Sequence, residues 1–575
     1  MIKIHYMPIS IEKRKRVYFP ESFEIEDWPG LEKAFREMLE ESIDSSEALE
    51  RFIEKCGELS HLLAEAGAWK TIRMTQYADN LELSEAQAKF YKDVIAPSQP
   101  YFFKLNKKIF ESGYFKDLPQ DRYAHLGKIL RNEIEIYREE NIPLFVEENR
   151  LASRYGEIYS QLTVIFEGKE KTLKEMELLL KDKDRQRREG AWRLIWQKML
   201  EKREKFEKLF DELKALRIRI AQNAGFDNYR DYIHKAYGRF DYTPKDLLEF
   251  HDSIEAVVLP ALAERNERRR EKLKVDTLRP WDLSVDLDGK ILRPFADTNE
   301  LLAGSIRMLG RLDPVFADTL SGMAENDLLD LPNRKGKAPG GYSCPLPASG
   351  TDFIFMNAVG IHTDVQTLLH ESGHALHAFA LQGEKIAEYS NPPSEVAELA
   401  SMSMELFILD MLDEFYQDKE DIKKAKREQL EDSLAIFPMV ASIDAIQHWI
   451  YLHPEHSWEE RDGEFGRLKD RFNAGIDWTG LEKEKSCIWL KTLHIFEIPF
   501  YYAEYAIAQL GAIALYRQYK QDPAQAIANY KNFMKLGYSK SVPEIYAAAG
   551  IRFDFSKEYL KEMVDFVMEE LESLD

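Results

Sequence analysis

Val365-Gln366-Thr367-Leu368-Leu369-His370-Glu371-Ser372-Gly373-His374-Ala375-Leu376-His377-Ala378-Phe379 carries its apolar residues at helical spacing. Val365, Leu368, Leu369, Ala375, Leu376 and Phe379 form one stripe, and Thr363-Asp364 offers an N-terminal cap, so the stretch predicts a buried helix. A helix turns about 100° per residue, which puts His370 and His374 on one face a turn apart. Two imidazole nitrogens so placed can converge on one Zn²⁺. Glu371 lies beside that face, where a carboxylate can take a proton from a water held by the metal. Two histidines and a glutamate inside a buried helix are costly without such partners.

A zinc site that does chemistry has three protein ligands and one open position. His377 sits one turn further along the same helix, too close in line to complete a tetrahedron, and reads as a supporting or packed histidine. The segment Asn391-Pro392-Pro393-Ser394-Glu395-Val396-Ala397-Glu398 predicts a turn, a serine cap and the first turn of a second helix. Glu395 and Glu398 both qualify as third ligand by position.

The run from His370 to His377, followed by Pro393-Ser394-Glu395-Val396-Ala397, resembles the zinc oligopeptidases of the thimet oligopeptidase and oligoendopeptidase F family. The resemblance implies one Zn²⁺ per chain held by His370, His374 and Glu395, with Glu371 as general base. Upstream, Gly340-Gly341-Tyr342-Ser343 and Phe353-Ile354-Phe355-Met356-Asn357-Ala358 look like the family's short sheet, whose edge pairs with a peptide backbone. Gly341, Tyr342, Phe355, Asn357 and Ala358 are the substrate-binding residues this implies, with the strand near Phe353 to Ala358 aligning the peptide. Downstream, His494 to Tyr505 is similar to the family's histidine and tyrosine cluster. It implies that Tyr501, with His494 or Tyr505, stabilises the oxyanion of peptide hydrolysis. Tyr501 and Tyr505, four apart, share a helix face, whereas Tyr502 points elsewhere on a regular helix and would replace Tyr501 after a small rotation. The chain departs from the pattern in three places. No glycine lies between His494 and Tyr501, Ala508 stands where a further tyrosine is expected, and the acidic residue expected one or two turns after the zinc-binding glutamate falls on Met402, with Glu405 nearby.

At 575 residues and 44% hydrophobic, the chain can bury a large core and form more than one lobe. Helical periodicity dominates from about Leu31 to Ala224, with one or two very long helices between Arg187 and Gln222. The segment from Asp276 to Pro294, with Pro280, Asp286, Asp288 and Gly289, breaks that pattern as a loop or small hairpin. Strand character is confined to Asn333–Ile361. A mainly α protein with one small β-sheet beside the site helices follows. The resemblance adds two lobes, a helical one over 1–200 and a catalytic one over 201–575, with the site deep in a channel between them.

A net charge of −22 argues against nucleic acid as a partner. No apolar run approaches a membrane span, and Met1-Ile2-Lys3-Ile4-His5 lacks a signal-peptide core. Cys56, Cys344 and Cys487 are too few and scattered for a disulfide framework, which suits the cytoplasm. The expected function is zinc-dependent endopeptidase cleavage of short unstructured oligopeptides by a monomer or small homo-oligomer. The alternatives are a zinc exopeptidase of carboxypeptidase or dipeptidyl type, or a helical binding protein without catalysis.

Overall fold

The computed structural model describes residues 14–287 and 289–574. The N-terminal residues read above for a signal peptide, and Asp288 of the expected loop, lie outside the described residues. Helices Trp28–Glu40, Ser46–Gln76, Leu81–Phe90, Ala96–Phe110, Gln120–Ile136 and Ile142–Ser160 build the N-terminal part. The expected long helical stretch is two helices, Arg185–Glu201 and Arg203–Asn223, followed by the 30-residue helix Pro244–Leu273. Pro280 and its neighbours form a short 3₁₀ turn within the expected loop.

Apolar side chains gather into two cores. The smaller is drawn from Ile25 to Leu130 and is completed by Ile386, Tyr389 and Tyr538 from far along the chain. The larger runs from Ile72 to Leu571. Trp192, Ile195 and Met199 on one side of residue 200 share the larger core with Phe206, Leu209 and Phe210 on the other. Position 200, the expected lobe boundary, therefore does not divide the cores.

Strand β1 (Thr163–Phe166) pairs antiparallel with β2 (Lys169–Thr172), a hairpin outside the expected strand region. Its turn residues Glu167 and Gly168 have φ of 52° and 77°, the left-handed pair that a two-residue hairpin turn requires. The second sheet has the order β3 (Leu329–Pro332), β5 (Thr351–Ala358), β4 (Tyr342–Leu346). β5 is parallel to β3 and antiparallel to β4, with Tyr342 opposite Phe355 and Leu346 opposite Thr351. β5 is thus the central strand, and Phe353, Ile354, Phe355 and Met356 are at most 2% exposed. The expected peptide-aligning role of Phe353–Ala358 is corrected here: a strand paired on both sides has no edge to offer. The outer edges belong to β3 and to β4, and β4 carries Pro345, a residue that fits only where no ladder N–H is needed.

The motif helix His362–Ala380 packs against this sheet and crosses a second helix, Ser394–Phe407. Gly373 sits at the crossing: a Cβ there would lie 2.6 Å from Ser401 Cα and 2.7 Å from Ala400 O. Glycine is required for that approach, which brings the two helix backbones close enough for short side chains to meet. Two further helices, Lys419–Leu452 and Tyr502–Gln521, close the bundle around the pair. Lys419–Leu452 is long and apolar enough to cross a membrane by composition, but 72% of its most apolar window is buried in this core.

Candidate metal centre and its surroundings

Asp364, in the first turn of the motif helix, accepts hydrogen bonds from the backbone N–H groups of Val359, Gly360 and Ile361 at 2.8–2.9 Å. This fixes the entry of the helix directly behind β5. Val365, Leu368, Leu369, Ala375 and Leu376 are buried as the stripe predicts, while His370 and His374 each keep 21% of their side-chain surface. Burial is nonetheless the first influence on the pKa of both imidazoles.

The third residue facing this pair is Glu398. One ligating atom from each of His370, His374 and Glu398 lies within 4.8 Å of the others. Glu398 Oε2 is 3.6 Å from His370 Nε2 and 3.7 Å from His374 Nε2. Ligands about 2.0–2.1 Å from a tetrahedral zinc stand about 3.3 Å apart, so small adjustments close the set on an ion. Glu395, the expected ligand, is corrected by this geometry. It lies one turn earlier, buried with one carboxylate oxygen unpaired, and its charge is felt by Arg239 and Tyr242 rather than by the histidines. Its pKa is pushed up to about 8 by burial and by the Glu504 charge, against the pull of Arg239. Ser394, expected as a helix cap, makes no cap hydrogen bond; Pro393 precedes the helix.

With Glu398 as the facing carboxylate, the apparent departure at Met402 disappears. Glu405, two turns further along the same helix, holds His370 Nδ1 at 2.6 Å. Gln429 Nε2 donates to the other Glu405 oxygen at 2.7 Å, and Gln366 hydrogen-bonds to Gln429 in turn. A carboxylate on Nδ1 fixes the tautomer that leaves Nε2 free to ligate. Burial would lower the His370 pKa, but the Glu405 hydrogen bond and the charges of Glu405, Glu371 and Glu398 raise it to about 10. That negative field would act equally on a divalent cation between the rings. Burial holds His374 down to about 4, so it is neutral and ready to donate its lone pair. Two imidazoles and a carboxylate suit zinc, and the residues present fit it. Glu405→Ala should lower zinc affinity about 10- to 100-fold, measured by competition with a chromogenic chelator.

Glu371 is 6% exposed, and its pKa is pushed up to about 7 by burial and by the Glu398 and Glu405 charges, with His370 and the Ser343 backbone N–H opposing. The Ser343 contact places the general-base candidate against strand β4. His377 is 3% exposed with Nε2 unpaired and packs near the Phe533 ring at 6.1 Å, so it is a packed histidine.

Tyr501 immediately precedes the helix Tyr502–Gln521, and its hydroxyl donates to Glu398 Oε1 at 2.7 Å. Tyr505 lies 5.3 Å from the Tyr501 ring, and its hydroxyl is 3.4 Å from His494 Nε2. Burial and the Glu398 charge raise the pKa of both tyrosines, so they remain hydrogen-bond donors, and burial lowers that of His494. Tyr502 packs edge-on to His494 and Tyr505. Ala508 is fully buried. Where a glycine-rich loop is missing from the sequence, Phe500 takes the left-handed conformation itself, with φ of 65°. Such a backbone costs a bulky residue about 1–3 kcal/mol and persists only where its surroundings over-determine it.

Of the expected substrate residues, Phe355 is fully buried and stacks on Tyr342 at 4.8 Å, while the Tyr342 hydroxyl meets Thr75 Oγ1 at 2.6 Å. Asn357 Nδ2 donates to Ala338 O and Gly340 O at 2.8 and 2.9 Å, pinning the turn that carries Gly341 into β4. Ala358 O accepts from Asn333 N. These residues build and brace the sheet, and of them only Tyr342 lies on the edge strand β4, with Gly341 directly before it. The sequence offered Glu398 as a candidate ligand beside Glu395 and the resemblance chose Glu395, while Glu405 and the Ser343 N–H were given no role; the seven-residue spacing of Glu398 and Glu405 on one helix was the available signal.

The chain is similar to known peptidases over most of its length. The model for "Peptidase family M3" matches residues 178–565. An oligoendopeptidase F homolog of Borreliella burgdorferi is 25% identical over 463 residues, covering 77% of this chain and 75% of its own. Among solved structures, PZ peptidase A in complex with an inhibitor superposes with a TM-score of 0.91 at 26% identity, over 96% of this chain and 99% of that one. An X-ray structure described as an oligoendopeptidase F gives the same TM-score at 25% identity, over 96% and 98%. The matched span contains the motif helix, Glu398, Glu405 and the tyrosine cluster, and the chain belongs to peptidase family M3 as a metallo-oligopeptidase.

Proposed function

We propose that this protein is a zinc-dependent endopeptidase that hydrolyses short, unstructured oligopeptides. The observation that carries the reading is the convergence of His370, His374 and Glu398 on one point, with Glu371 next to His370 in the chain and Tyr501 hydrogen-bonded to Glu398. When bound, Zn²⁺ supplies a Lewis acid that polarises the scissile carbonyl and makes a water acidic enough to lose a proton near neutral pH. Glu371 takes that proton and passes it to the leaving amine. Tyr501, with Tyr505 or His494 behind it, exchanges its hydrogen bond to Glu398 for one to the oxyanion that forms on the carbonyl oxygen. The open edge of β4 pairs with the peptide backbone beside Glu371, which gives affinity with little regard to side-chain identity. An internal site of this kind admits extended peptides and excludes folded proteins. The three free cysteines support a further proposal, that the enzyme acts in the reducing cytoplasm.

An internally quenched peptide blocked at both ends tests the reading, with zinc measured on the same sample before and after chelation. The expected result is internal cleavage that is lost with the metal and restored by adding zinc back. Cleavage confined to free-ended peptides would transfer the site to an exopeptidase. Absence of both bound metal and cleavage would leave a helical binding protein.

A further inference from the structure

The carbonyls from Ile495 to Phe500, at the end of the short helix Leu493–Glu497 and in the turn after it, are held by side chains from other elements. Arg217, fully buried, donates Nη1 to Ile495 O at 2.9 Å and Nη2 to Phe496 O. The Tyr237 hydroxyl donates to Pro499 O at 2.9 Å. The left-handed peptide of Phe500 is gripped on both sides: its N–H donates to Gln447 Oε1 at 2.8 Å, and its carbonyl accepts from Arg239 Nη2 at 2.6 Å. Gln447 is itself fixed by donating Nε2 to Ile443 O at 3.0 Å on the helix Lys419–Leu452. Arg239 is fixed by Glu504 Oε1, at 2.8 Å from Nη2 and 3.2 Å from Nε, and Glu504 lies on the helix that Tyr501 begins. The Phe500 ring packs on His448 at 5.4 Å and Tyr451 at 5.7 Å. Tyr501 follows directly, so the φ and ψ of Phe500 decide where its hydroxyl lies.

We propose that Arg239 and Gln447 are positioning residues for Tyr501, clamping the left-handed Phe500 peptide so that the Tyr501 hydroxyl is held against the metal-side carboxylate Glu398. Neither residue reaches the reacting atoms. A bulky residue reverts from the left-handed region unless restrained, so freeing either side of the peptide lets the chain relax and swings Tyr501 away. Side chains thus supply here the turn that glycines would give without restraint, and they make the tyrosine arm rigid. The proposal rests on the reading of Tyr501 as an oxyanion donor.

The test is a double-mutant cycle on the full-length zinc enzyme with a quenched peptide, recording kcat, KM and zinc content for Tyr501→Phe, Gln447→Met and the pair. Gln447→Met should lower kcat about tenfold with KM and zinc unchanged, as expected for loss of one hydrogen bond that matters only in the transition state. In the Tyr501→Phe background it should cost nothing more, because the hydroxyl it positions is gone. Arg239→Lys keeps a charge beside Glu504 but loses the fork that reaches Phe500 O, and should show the same pattern; it decides the matter if Gln447→Met does not fold. Equal losses in both backgrounds, or unchanged kcat for both clamp variants, overturn the proposal. If Tyr501→Phe loses turnover and the clamp variants do not, the clamp alone falls. Full turnover by Tyr501→Phe removes the oxyanion role of Tyr501 and the clamp together.

Discussion

Glu371→Gln should retain one zinc per chain and bind peptide normally, while kcat falls by a factor of about 10²–10⁴ or more. The substitution is close to isosteric. Glu371 is almost fully buried between the Ser343 N–H and the His370 ring, and an amide can occupy the same space. What it cannot do is accept the proton of the attacking water and return it to the amine. Metal analysis and steady-state kinetics on one preparation check the result, and a variant with substantial turnover would remove Glu371 from the general-base role.

The second large effect separates the two glutamates. Glu398→Ala should weaken zinc binding by at least about 100-fold, since the loss of a direct ligand exceeds the effect of losing an outer partner. Glu395→Gln should keep its zinc and its activity. Glu395 lies among Arg239, Tyr242 and Glu504, where burial and a second carboxylate already favour its neutral form, so an amide is a mild change there. Zinc titration of both variants, with thermal unfolding to confirm that each is folded, decides between them. The reverse outcome would restore Glu395 as the ligand.

The sequence carried the motif helix in full, because its apolar stripe, its first-turn aspartate and its histidine spacing all agree. The second helix was legible as an element, but its rotation was not. Glu395 stands in its first turn and Glu398 one turn further on, and nothing local says which of them faces a helix that is distant in sequence. The deciding fact is tertiary: Gly373 lets the helices touch at Ala400 and Ser401, and the residue one turn before that contact, Glu398, is the one carried to the histidines. The same one-turn error made Glu405 look misplaced. The exchange of β4 and β5 has a related origin. A continuous apolar run such as Phe353–Met356 is what a strand covered on all sides looks like, whereas an edge strand with polar and proline positions is less conspicuous. The β1–β2 hairpin escaped because Val164 alone among the four residues of β1 is buried, leaving little alternation to detect. The tyrosine loop was unreadable for a different reason. Its conformation is imposed by Arg217, Arg239 and Gln447, which lie between 53 and 279 positions away.

The open edge of β4 also bears on how the enzyme avoids sticking to itself. A strand edge with free hydrogen-bonding groups is a template for any extended chain, including the same edge on another copy, and that is how many β-proteins aggregate. Here the edge is short, Pro345 removes one N–H from it, and the helix Ser46–Gln76 packs over the strand through the Thr75–Tyr342 hydrogen bond. If this edge receives peptides, as proposed, these same features would hinder the matching edge of a second copy from pairing with it.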